Sequence, residues 1–180
     1  MNADIMIAST NCHILGINSP MLSVIIVIVG ETIAAVLVAV IIHEEGHALA
    51  TLACGLRLSS FVIGIGPTVL KLRVGRTDFI LKLVPITGHI WREPTKRRWA
   101  RIVIDAAGPL ANGLALAPIA ALYRLWPGHE EVLLVFGFYQ ALFLIATLLP
   151  TSRKIDGVRI PSDGMRIYDL LFRYHPPSSK

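Results

Sequence analysis

The sequence predicts an all-α membrane protein: three spanning helices, with a small membrane-associated β-hairpin between the first two. Three observations carry that expectation. Hydrophobic residues make up 54% of the 180 and charged residues only 16%, with a mean hydropathy of +0.63, a balance that soluble domains of this size rarely reach. Apolar runs long enough to cross a bilayer occupy about 21–54, 102–125 and 132–149. Finally, the basic residues fall outside those runs. Of 17 Lys and Arg, none precedes Arg57, ten lie from Arg57 to Arg101 and six from Arg153 to Lys180; only Arg124 falls elsewhere. The net charge of +5 is therefore a topology signal, and nucleic acid is not expected as a partner.

Taken in order, residues 1–20 are mixed and carry neither a basic n-region nor a cleavage-like site, so no signal peptide is expected. Asn18-Ser19-Pro20 is a plausible helix start, and Gly55 is a natural stop for an apolar run from Met21 to Cys54. A helix of that length spans roughly 50 Å against a hydrocarbon core of ~30 Å. It must tilt, protrude or break near Gly30-Glu31, and Glu31 reads as the point where it enters the interface. Cys12 and Cys54 flank this run, so no disulfide between them is expected.

Residues 56–90 change period. Leu70, Leu72 and Val74 alternate with Lys71 and Arg73 before Gly75-Arg76-Thr77-Asp78; afterwards Phe79, Leu81 and Leu83 alternate with Ile80, Lys82 and Val84. Period two around a polar turn predicts a hairpin. Trp91 and Trp99 flank the basic linker that follows, where an interfacial aromatic belt would lie. The second and third apolar runs come next, the third stopping at Pro150. A polar loop with Asp156-Gly157 and Asp163-Gly164, a short helix from Met165 to Phe172 and a loose tail complete a single domain over 1–180. Three spans place residues 55–101 and 150–180 on one side. The positive-inside rule makes that side cytoplasmic, with the N-terminus outside.

Chemistry enters at the end of the first run. His43-Glu44-Glu45-Gly46-His47 is a His-Glu-x-x-His pattern, which on a helix puts His43 and His47 one turn apart on one face. Two imidazoles there can hold a zinc ion, and Glu44 stands beside them, placed to take a proton from a water the metal polarises. Ionisable side chains in a membrane segment are functional suspects by default. A catalytic zinc usually has three protein ligands. The candidates for the third are Asp105, Asp156, Asp163, His89, His129 and His175. Topology puts His129 on the wrong side, His175 lies in the Pro- and Ser-rich tail, and Asp105 suits a capping or interfacial role. The Asp-Gly pairs at Asp156 and Asp163 remain.

Together with Gly108-Pro109-Leu110-Ala111-Asn112, Leu148-Leu149-Pro150 and a following Asp-Gly, this pattern resembles the site-2 protease family of intramembrane zinc metalloproteases. Phe61-Val62-Ile63-Gly64-Ile65-Gly66-Pro67, the hairpin and Pro85-Ile86-Thr87-Gly88-His89 are similar to that family's membrane-associated β segment. The resemblance covers about residues 30–172. It implies a three-helix metalloprotease core in a compact form without a PDZ domain. It also implies zinc on His43, His47 and an Asp after the third helix, Glu44 as general base, and Asn112 holding the substrate backbone or the developing oxyanion. Two departures stand out: Thr147 occupies the place of an expected Asn, and an insertion separates Pro150 from Ser162-Asp163-Gly164. Asp163 is preferred over Asp156, because Ser-Asp-Gly opening a short apolar helix resembles members with such an insertion.

The expected function is a zinc-dependent endopeptidase that cuts a transmembrane or membrane-proximal segment of a membrane protein. Its setting is a lipid bilayer, in a bacterial cell membrane, with a regulatory membrane partner. The alternatives are a catalytically inactive membrane scaffold of the same fold and a zinc transporter; neither needs a base at Glu44.

Overall fold

A computed structural model describes residues 19–155 and 158–173. The N-terminal segment with Cys12, the Asp156-Gly157 pair and the tail with His175 lie outside the described residues. The chain is mostly helical. Helix α1 (Ser19–Ala53) leads into two long strands, β1 (Leu58–Val74) and β2 (Thr77–Arg92). Helices α2 (Arg98–Leu125) and α3 (Glu130–Leu148) follow, then a short hairpin of β3 (Ser152–Ile155) and β4 (Val158–Pro161), and finally α4 (Asp163–Phe172). Helices α1, α2 and α3 are long and apolar enough to cross a membrane. Their surfaces agree with that: the large apolar residues from Met21 to Val29 of α1 are each exposed by at least 43%, a patch of the kind that marks a membrane or partner surface.

Helix α1 runs unbroken through Gly30-Glu31. Helix α2 begins four residues before the expected 102 and takes in part of the basic linker, because Ala100 is 1% exposed and packs with Cys54 and Ile104. Pro109 and Pro118 sit inside it, where each removes one backbone hydrogen bond.

The β region is larger than a small hairpin, with strands of 17 and 16 residues. Its two-residue turn closes between Val74 and Thr77 with Gly75 at φ 61°, the left-handed backbone that tight hairpin turns favour. The hairpin also doubles back on itself. Phe61 lies opposite Ile90 on one side and Phe79 on the other, and Ile63 lies opposite both Gly88 and Leu81. Residues 60–63 thus run between 88–91, antiparallel, and 78–81, in the same sense. Gly64 and Gly66, at φ 92° and 89°, make the fold-over; a side chain on Gly64 would press on the Lys82 and Val84 carbonyls. Phe61, Ile63 and Leu58 then pack on Val40 and Ala48 of α1. This packing lays the C-terminal half of β2 beside the polar part of α1.

Where a polar loop was expected after α3, β3 pairs with β4 from Ser152–Pro161 to Ile155–Val158. This hairpin returns the chain to the end of α3, where α4 starts.

Candidate metal centre

Within the apolar helices the buried polar side chains gather in one place: His43, Glu44, His47 and Thr51 on α1, Asp105 and Asn112 on α2, and Gln140 on α3. Small residues make this possible. A Cβ on Gly46 would overlap the Ala107 carbonyl of α2, and one on Gly108 would overlap the His47 ring. Glycine at both positions lets α1 and α2 approach closely, as small residues do at membrane helix interfaces.

That approach orients both imidazoles. His47 Nδ1 lies 2.6 Å from the Ile104 carbonyl oxygen. A carbonyl only accepts, so Nδ1 carries the proton, and in the neutral ring His47 Nε2 is left with its lone pair. His43 Nδ1 lies 2.8 Å from Asn112 Oδ1, and the same reasoning frees His43 Nε2. The two Nε2 atoms face each other at 3.1 Å, and Asp163 Oδ2 stands 3.0 Å from one and 3.4 Å from the other.

Three lone-pair atoms converging at these distances suit a cation between them. Ligands at ~2.0–2.1 Å from a tetrahedral zinc lie roughly 3.3–3.4 Å apart, close to the spacing found. His43, His47 and Asp163 can hold a metal ion: their donor atoms all lie within 4.8 Å of one another. Both rings are anchored at Nδ1, as metal-binding imidazoles usually are.

Asp163 reaches the cluster through the way α4 begins. Ser162 caps the helix by accepting from the Met165 amide. The Ser162 hydroxyl donates to the Leu149 carbonyl at 2.6 Å, and its backbone amide donates to Thr151 O at 2.9 Å. The first turn of α4 is thereby tied to the end of α3. Gly164 is required by close approach, since a Cβ there would overlap the Leu148 carbonyl oxygen. Burial alone would push the Asp163 carboxyl up, but without a metal a proton on the His43 or His47 Nε2 donates to it, outweighs burial and holds the carboxyl well below the usual carboxylate range.

Glu44 is 5% exposed and faces Gly88 of β2, where a Cβ would sit within 3 Å of its side-chain atoms. It lines a cleft of about 390 Å³ together with His43, His47, His89, Asp163 and Arg166. Asn112 is 0% exposed. Besides His43, its amide nitrogen reaches Ala39 O at 3.0 Å and Gln140 Oε1 at 2.6 Å, so its side chain faces the ring and the helix contacts.

Of the other candidate ligands, His89 lines the cleft and packs edge-on against Trp91; burial, with Lys82 nearby, pushes its imidazole down. His129 lies at the far loop and packs against Trp126. Asp105 is inside α2, not at its cap, and Arg166 of α4 approaches it at 3.9 Å. Gln140, Ser162 and Arg166 were not among the sequence candidates. Of these, only Ser162 had a local signature, as a Ser preceding an Asp-Gly helix start.

The model of Peptidase family M50 matches residues 31–168, a span that contains every residue of the cluster. A protein of Arabidopsis thaliana named "Probable membrane metalloprotease ARASP2, chloroplastic" is 40% identical over 131 residues, covering 71% of this chain and 28% of its own length. The "Zinc metalloprotease Rip1" of Mycobacterium bovis is 28% identical over 110 residues, covering 51% of this chain and 27% of its own. The chain thus spans under a third of the length of either relative. With a match to the family model over more than half of its residues, this chain belongs to Peptidase family M50, the site-2 protease family.

Proposed function

We propose that the chain is a single intramembrane metalloprotease domain over 1–180: a zinc-dependent endopeptidase cutting a transmembrane or membrane-proximal segment of another membrane protein. One observation carries the reading. His43, His47 and Asp163 present three lone-pair atoms to one point beside the buried Glu44, in a cleft bordered by a β-strand.

His43 Nε2, His47 Nε2 and Asp163 Oδ2 would hold the zinc. When bound, zinc acts as a Lewis acid on a carbonyl and acidifies water. Glu44 removes a proton as water oxygen attacks the scissile carbonyl carbon, and returns it to the amide nitrogen as the C–N bond breaks. Asn112, assigned by resemblance to the substrate backbone or the oxyanion, acts in the geometry found by orienting His43.

A transmembrane helix hides its amides in internal hydrogen bonds and must unwind before it can be cut. The C-terminal half of β2 is suited to hold the unwound strand: among the described residues, 88–92 pair on one side only, with 58–63, and Gly88 lies against Glu44. Strand addition at that edge would bring a substrate carbonyl to the cleft. The charge distribution supports a cytoplasmic C-terminus and an external N-terminus in a bacterial cell membrane. The partners are a membrane protein substrate and a regulatory membrane protein.

The test is co-expression with candidate single-span membrane proteins. Wild type should yield fragments cut in or beside the span. Glu44→Gln should retain zinc and leave the same proteins intact. Equal cleavage by Glu44→Gln would remove the proposed base and with it the mechanism.

A further inference from the structure

Gln140 is 0% exposed on an otherwise apolar stretch of α3, and neither the mechanism nor the family resemblance assigns it a task. We propose that Gln140 is a positioning residue for His43, acting through Asn112 to keep the ring with Nδ1 protonated and Nε2 turned toward His47 and Asp163. This rests on the reading of His43 as a metal ligand.

The orientation follows from which groups donate and which accept. The Ala39 carbonyl accepts only, so the end of the Asn112 carboxamide facing it, at 3.0 Å, is the NH2. Its second proton goes to Gln140 Oε1 at 2.6 Å. The oxygen end of Asn112 is then fixed toward His43, 2.8 Å from Nδ1, and only a protonated Nδ1 satisfies it. Nε2 is left as the lone-pair atom, 3.0 Å from Asp163 Oδ2 and 3.1 Å from His47 Nε2.

Each link removes one alternative. Turning the Asn112 amide round would set its oxygen against two acceptors, the Ala39 carbonyl and Gln140 Oε1. Without Gln140, only Ala39 opposes that turn. All four groups are on different turns or helices: Ala39 and His43 on α1, Asn112 on α2 and Gln140 on α3. The relay thus makes the ring orientation depend on the packing of all three spanning helices. His47 needs no such relay, because a backbone carbonyl already fixes it.

The experiment is a zinc titration of the purified full chain in competition with a chelating dye, on wild type, Gln140→Met, Gln140→Glu and His43→Ala. Met keeps the length of the side chain but offers no comparable acceptor. Gln140→Met should weaken zinc binding roughly tenfold, the lower end of the range for groups that orient metal ligands. It should also alter the visible spectrum of the cobalt-loaded protein. Gln140→Glu keeps an oxygen toward Asn112 and should bind zinc close to wild type with the wild-type cobalt spectrum. Gln140→Leu provides a second apolar replacement if the Met variant does not fold. Wild-type zinc affinity and cobalt spectrum in a folded apolar variant, with only the melting temperature of the metal-free protein lowered, would overturn the proposal in favour of simple packing. Full zinc affinity in His43→Ala would instead overturn the ligand reading beneath it, a result separable from any outcome at Gln140.

Discussion

Gly164→Ala tests how Asp163 is delivered to the cluster. The added Cβ would stand 2.5 Å from the Leu148 carbonyl carbon and 3.1 Å from its Cα. The optimum for carbon contacts begins near ~3.5 Å, so α4 and the end of α3 must separate by about 1 Å. They cannot do so by a side-chain movement, because the atoms struck are backbone. Ser162 resists a pivot, being bonded to Leu149 O, Thr151 O and the Thr151 amide. Metal–ligand distances hold to roughly 0.2 Å, so a shift of that size withdraws the Asp163 oxygen. Zinc affinity should fall at least roughly 10- to 100-fold, as for lesser disturbances of metal sites. Gly113→Ala is the matched control: its Cβ would meet only Leu144 methyl groups, at 3.6 and 3.8 Å, and should leave affinity unchanged. Chelator competition on both purified variants reads the difference. A folded Gly164→Ala protein that binds zinc like wild type would refute the close-approach argument.

Three further predictions concern the same site and its setting. Asp163→Asn should cut zinc affinity and activity strongly, at least roughly 10- to 100-fold, while Asp156→Asn should change either only mildly; the reverse ranking would move the ligand to Asp156. Since the Asp163 carboxyl is held below its ordinary range, it favours the folded state above the unfolded carboxylate value of about 3.9 and loses that effect as pH falls below it. Melting of the metal-free protein should accordingly decline more steeply from pH 5 to 3 for wild type than for Asp163→Asn, and parallel profiles would contradict the assignment. A reporter fused after Lys180 should be cytoplasmic and one inserted near Gly128 external, and opposite labelling would invert the proposed topology.

What the sequence discloses depends on how local the cause is. The His pair on α1 is legible because helical period alone places His43 over His47, and the turn at Gly75 is legible because alternation reverses around it. The doubling back of the hairpin is not, since the pairing of residues 60–63 with 78–81 is long-range contact with no local period. Gly64 and Gly66 marked only that something bends there. The β3–β4 hairpin leaves little periodic trace, because each of its strands is only four residues long. Gly164 is legible only as half of an Asp-Gly pair; the steric need for glycine appears once the end of α3 lies against it. Gln140 was invisible because one Gln in an apolar helix has no partner until α2 is packed beside it.

The most direct test of the central claim is the metal content of the purified chain. The account requires about one zinc per chain in wild type, retained in Glu44→Gln and largely lost in His43→Ala, His47→Ala and Asp163→Asn. Wild-type protein that takes up no zinc, or three ligand variants that keep a full complement, would contradict it.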